Sequence, residues 1–203
     1  MIEALIRERR SIRSFEDRPV DHALLLELLE LATQAPSASN KQPWRFFVVE
    51  RGPRLERMRQ AVADARTALL GRIPESSREA VEAYGTYFTR FAEAPMVLAP
   101  ICRPLQILSQ LDPSGSPEIA RMEDTSATIG TALVLQNLQL LAHARGLGTS
   151  LMTGPLLAEP ALKEILEVPR GWNLVALVPI GYPREVPPPT GRKAVDHVVR
   201  FLP

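Results

Sequence analysis

Apolar residues recur along this chain at two spacings, with prolines and glycines marking where one gives way to the other. Leu24, Leu25, Leu28, Leu31 and Ala32 keep helical spacing while Glu27 and Glu30 take the wet face. This predicts a helix over 22–34 with Asp21 as its N-cap. Pro36 disfavours helical geometry at Ala35 and so limits that helix. RFFVVE at 45–50 reads as a buried strand, ended by Gly52-Pro53, and a charged helix follows to about Leu70. Another helix is expected over 75–92, closed by Pro95. MVLAPIC at 96–102 reads as a second strand, although Pro100 argues against a regular central one. NLVALVPIG at 173–181 is the third strand.

The remaining segments are shorter or less regular. Residues 2–8 form a short helix in this reading, running into a group of arginines. Residues 103–119 hold three prolines and Gly115, which predicts an irregular, mobile excursion or lid. A long helix then runs to about Arg145 and stops at Gly146, and Leu147–Met152 is a short strand candidate. Residues 158–167 look helical. The proline run in YPREVPPPTGRK predicts an extended arm over about 184–203, whose VDHVVRF segment has the pattern of a terminal strand. Strands and helices mix without strict βαβ alternation and without a repeat or a low-complexity linker. The expectation is therefore one α+β domain over 1–203. An ending that leaves the body and then turns apolar points to exchange with a second subunit.

Charge and composition narrow the partners. The 24 basic and 23 acidic residues nearly cancel, which argues against nucleic acid. Residues 125–142 carry no charge, yet seven Thr, Ser, Gln and Asn residues make them too polar for a lipid-facing span. No membrane partner is expected, and the stretch reads as a helix inside the protein or a subunit interface. The opening MIEALIRERR lacks an apolar export segment, and the single Cys102 excludes an intrachain disulfide, so a cytoplasmic location is expected. His22, His143 and His197 are scattered without metal-ligand spacing, so no metal is expected. There is no G-x-S-x-G elbow and no Walker A loop, and Gly146 and Gly148 follow a helix rather than open one.

Two polar stretches carry the candidate chemistry. In RERRSIRSF at 7–15, one reading has Arg7, Arg9 and Arg10 complementing the negative end of a short helix. The other gathers Arg9, Arg10, Ser11 and Arg13 into a phosphate site, where guanidinium groups bind oxygens through paired hydrogen bonds. In APSASNKQPWRF at 35–46, Ser37, Ser39, Asn40 and Gln42 sit between Pro36 and Pro43. They serve either a loop bonded to its own backbone or a ligand cradle.

Together, RRSIR, PSASNKQPW, QNL at 136–138, GLG at 146–148, PIGYP at 179–183 and GRK at 191–193 resemble the FMN-dependent nitroreductase family, in order and over nearly the whole chain. The resemblance implies a mixed central sheet flanked by helices, in an intertwined homodimer whose C-terminal segments join the partner's sheet. It implies FMN in each of two interface sites. Arg9, Arg10 and Ser11 would hold the phosphate and ribityl chain, with Arg192 and Lys193 adding charge. Pro36, Ser37, Ala38 and Asn40 would line the flavin from the other subunit. Arg13 would lie at the N1–C2=O edge, where reduction places negative charge. Thr153 and Gly154 would lie near N5.

The implied activity is ping-pong hydride transfer from NADH or NADPH through FMN to a small-molecule acceptor: a nitroaromatic, a quinone or a similar electron-poor compound. The flavin carries the chemistry, and no catalytic side chain is assigned. Two alternatives stay open: a specialised biosynthetic flavoenzyme of the same fold, and a flavin-binding protein without turnover. Residues 70–122 match no motif that would choose the acceptor.

Overall fold

The computed structural model describes residues 2–202. Its elements run α1 (Ile2–Glu8), α2 (His22–Ala32), β1 (Trp44–Glu50), α3 (Pro53–Leu70), α4 (Glu75–Gly85), β2 (Met96–Cys102), α5 (Pro117–Ala144), β3 (Gly148–Thr149), α6 (Glu159–Ile165), β4 (Asn173–Leu174) and β5 (Val178–Gly181). Asp21 caps α2 as expected, its carboxylate accepting from the Ala23 N–H at 2.9 Å. The strands lie in the order β1-β2-β5-β3, with β4 also on β2, and helices cover both faces in an α+β fold. Every ladder is antiparallel, whereas a mixed sheet was implied. Among the described residues the parallel component is one isolated bridge, Ser11 with Thr149.

Burial on both faces explains why β2 reads as an unbroken apolar run. Met96 and Leu98 pack with Leu28, Val134, Leu135 and Leu138 of α2 and α5, while Val97, Ala99 and Ile101 pack with Leu55, Met58, Val62 and Leu162 of α3 and α6. Pro100 sits inside this strand after all. It faces Phe46 in β1, and the alternation of the ladder turns its nitrogen toward the other neighbour. There the expected strand 173–181 is broken into β4 and β5, and the Val175 N–H donates to the Pro100 carbonyl at 2.9 Å. A missing donor is tolerated where the neighbouring strand is interrupted.

Three elements differ in extent or type from the sequence reading. The expected helix 75–92 stops at Gly85, and a separate 3-10 turn covers Arg90–Glu93. α5 begins at Pro117 with Ser116 as N-cap, which shortens the irregular excursion. The centre of that excursion is pinned: the buried Glu123 carboxylate accepts from the N–H groups of Ile107 at 2.5 Å and Leu108 at 2.6 Å, and from Ser109 Oγ at 2.5 Å. The expected terminal strand at 195–201 is instead a 3-10 turn, Val195–His197, followed by exposed chain. Within one chain that segment pairs with no strand of the sheet. No helix among the described residues is long and apolar enough to cross a membrane.

Candidate functional site

After α1 the arginine-rich segment runs extended along the sheet margin, held there by its backbone. The Ile12 N–H donates to the Thr149 carbonyl at 3.0 Å, Glu16 N–H to Tyr182 at 2.9 Å, and Arg184 N–H to Ser14 at 3.1 Å. Ile12 and Phe15 are buried in this segment, while Ser11, Arg13 and Ser14 stay half-exposed. Gly148 makes the approach possible, because a Cβ there would stand 2.6 Å from Ile12 Cβ. That is the use of the second glycine in GLG. The first, Gly146, has φ +75° and ends α5.

Above this margin lies a hollow of about 500 Å³ whose wall includes Arg9, Arg10, Ser11, Arg13, the prolines 187–189, Thr190 and Arg192, and no acidic residue. Burial, and then the neighbouring Arg192 and Arg10, push the Arg9 guanidinium below its ordinary pKa. Crowded cations without a carboxylate leave donors free for an oxyanion. Arg10 also serves the helix end, its Nη1 donating to the carbonyls of Arg7 at 2.6 Å and Arg9 at 3.0 Å. Both readings of the arginines thus have a structural counterpart. Lys193 is exposed and not part of the wall.

Arg13 also lines a second hollow, of about 370 Å³, together with Thr153, Gly154, Leu151, Tyr84, Tyr87 and Phe88. Tyr87 has the Arg13 guanidinium 5.7 Å and the Arg90 guanidinium 5.0 Å from its ring centre. Tyr84 meets Phe88 edge to face at 5.3 Å. Sequence reasoning missed these three aromatics. Their spacing at 84, 87 and 88 is a one-face helical signal, but it spans the end of α4, where residue type alone shows no destination.

The second polar stretch lies elsewhere. Pro36, Ser37 and Ala38 line a hollow of about 230 Å³ with Ser126, Ile129, Gly130 and Leu133 of α5, sharing no residue with the arginine hollows. The loop does bond to itself, Ser37 Oγ accepting from the Gln42 N–H at 2.9 Å. It is held in an uncommon shape, with positive φ at Ser39, Asn40 and Gln42. Asn40 is outside the wall, its Oδ1 taking a 3.3 Å bond from Gln42 Nε2. One chain therefore does not bring the two stretches together.

Of the remaining candidates, Arg18 stacks on Tyr182 at 3.7 Å, and Cys102 is buried, its thiol pushed up mainly by that burial. His22 pairs with Glu50 at 2.7 Å on the surface.

The nitroreductase family model matches residues 6–182. Over 187 residues the chain is 32% identical to 5,6-dimethylbenzimidazole synthase from Rhodospirillum rubrum, covering 92% of this chain and 84% of that one. It is 32% identical over 196 residues to nitrobenzene nitroreductase from Ectopseudomonas oleovorans, covering 89% and 86%. Among solved structures, oxidized iodotyrosine deiodinase bound to FMN and 3-iodo-L-tyrosine superposes with a TM-score of 0.77 at 23% identity, over 100% of both chains.

Proposed function

The chain belongs to the nitroreductase family, and on that premise we propose an FMN-dependent oxidoreductase that carries hydride from NADH or NADPH to a nitroaromatic, quinone or similar electron-poor acceptor. Donor and acceptor use one site in turn. The observation that carries this reading is Arg13, which lines both the cationic and the aromatic hollow.

The donor set fits the cofactor. Arg9, Arg10, Ser11 and Arg192 supply guanidinium forks and a hydroxyl for a phosphate and a ribityl chain. FMN, when bound, supplies hydride acceptance and donation. Arg13 keeps a fixed positive charge at the junction, and Thr153 and Gly154 form the wall beside it. Tyr84, Tyr87 and Phe88 give a flat acceptor an aromatic surface to lie against.

Pro36, Ser37, Ala38 and Asn40 reach the same cofactor from a second copy in this reading, with Lys193 adding charge nearby. Apolar side chains left exposed in one chain support a homodimer: Ile129 and Leu133 beside the loop, and Phe201, 93% exposed, on the arm. β1 ends the sheet, so its outer edge is open to an exchanged strand.

A second reading, a biosynthetic flavoenzyme of the same fold, is favoured by the likeness to 5,6-dimethylbenzimidazole synthase. One experiment orders these readings. Purified protein is expected to be yellow with about one FMN per chain, and NADH or NADPH is expected to bleach it without oxygen. Colourless protein that takes up no added FMN overturns the cofactor assignment. Yellow protein that neither donor bleaches is a flavin binder or depends on another donor, and the reductase reading fails.

A further inference from the structure

A third cationic hollow, of about 340 Å³, opens at the start of β1 and shares no residue with those around Arg13 and Arg9. Lys41, Arg45 and Arg103 line it with Gln106 and Gln110, and no acidic residue does. Among the described residues none of the three cations makes an ion pair. In a chain of net charge +1 the lining is a local excess of positive charge.

Lys41, Arg45 and Arg103 are exposed, but the backbone that carries the two arginines is fixed. Arg45 opposes Ile101 across the β1–β2 ladder, and the Arg103 N–H extends that ladder to the Pro43 carbonyl at 3.1 Å. Strand alternation therefore puts Arg45 and Arg103 on one face as diagonal neighbours. Both guanidinium groups lie against the buried Trp172 indole, at 4.6 Å and 5.8 Å from its ring. Cation–π attraction holds both groups near the ring, Arg45 the more closely, and among the described residues neither makes a side-chain hydrogen bond. Gln106 and Gln110 flank residues 107–109, the turn that buried Glu123 grips, so the backbone on either side of it is held. Arginine stems that merely cover an indole need no lysine, no amide wall and no pinned loop.

We propose that this hollow is a binding site for the oxyanion group, phosphate or carboxylate, of a small molecule. Two forks held side by side match an oxygen-rich dianion, and Lys41 adds a third charge.

Calorimetric titration of FMN-saturated protein with inorganic pyrophosphate at constant ionic strength tests this, since FMN occupies the Arg9 and Arg10 hollow. One site per chain is expected. Arg103→Gln, and Arg45→Lys, which keeps the charge but loses the fork, are expected to weaken it about tenfold or more. Arg59→Gln, which removes a guanidinium paired with Glu56, is expected to leave it unchanged. Absence of saturable binding, or equal affinity in both fork variants while they remain folded by circular dichroism, overturns the proposal. None of these readouts needs turnover, so the result is independent of the reductase reading. Steady-state arms then identify the source. A raised KM for NADPH in Arg103→Gln assigns the donor's phosphates, and a raised KM for 4-nitrobenzoate but not nitrobenzene assigns an acceptor carboxylate. If neither KM moves while pyrophosphate affinity falls, the ligand is a separate oxyanion.

Discussion

Gly154 lies so close beneath the Phe88 ring that a Cβ on residue 154 would stand 2.5 Å from Phe88 Cδ1. The contact joins the turn after β3 to the aromatic run that follows α4, and both line the hollow next to Arg13. Gly154→Ala is expected to destabilise the fold by about 1–3 kcal/mol, as overpacking generally does. Phe88→Leu in the same chain is expected to restore much of that loss. Denaturant melts of both single variants and the double variant measure the coupling, and simple additivity would refute the contact.

Glu123 makes the excursion sensitive to acid. Its hydrogen bond from Ser109 Oγ, helped by the N–H groups of Leu108 and Ile107 and opposed by burial, holds its carboxyl below the ordinary value of 4.5. A depressed folded pKa gives stability that is present above the unfolded value and lost as pH falls through the folded one. Amide protection at Ile107 and Leu108 is therefore expected to hold at neutral pH and to fall below about pH 4.5. Glu123→Gln is expected to lower it already at pH 7. Protection that is flat from pH 7 to pH 3, relative to intrinsic exchange, counts against the pin.

How far the sequence could be read depended on whether each interaction was local. The cap at Asp21, the stop at Gly146 and the apolar run of β2 follow from neighbours in the chain, and the structure has all three. The Pro100 puzzle needed the neighbouring strand, because its tolerance depends on the break between β4 and β5. Arg9, Arg10, Ser11, Arg13 and Arg192 line one hollow, and Lys193 does not. The aromatic wall was not legible, since Phe88 packs on Gly154, far away in sequence, and Tyr84 packs on Phe88 in turn. The role of Glu123 depends on a loop sixteen residues earlier in the chain, a contact that no local pattern records.

The phosphate assignment predicts an order among the cations. Arg10→Ala and Arg192→Ala each remove a guanidinium from the hollow and are expected to weaken FMN binding roughly ten- to a hundredfold. Lys193→Ala removes an exposed charge outside that wall and is expected to cost less. Flavin fluorescence titration of the apoproteins gives all three affinities. A Lys193 effect equal to that of Arg10 would mean that the arm is placed differently in the assembled protein.

The arm itself is the last test. Val198, Phe201 and Leu202 are 63%, 93% and 76% exposed in one chain, an apolar cost that pairing with a second copy would remove. Deleting 187–203 is expected to shift the protein from dimer to monomer in analytical ultracentrifugation. That deletion also removes Arg192 and the prolines of the cationic hollow, so lost flavin could itself weaken the dimer. Val198→Asp with Phe201→Ser separates the two effects, because it leaves Arg192 in place and changes only the apolar face. The double variant is expected to dissociate at concentrations where the parent protein stays dimeric, even with FMN in excess. A dimer as tight as the parent's would show that the apolar face of the arm does not hold two copies together.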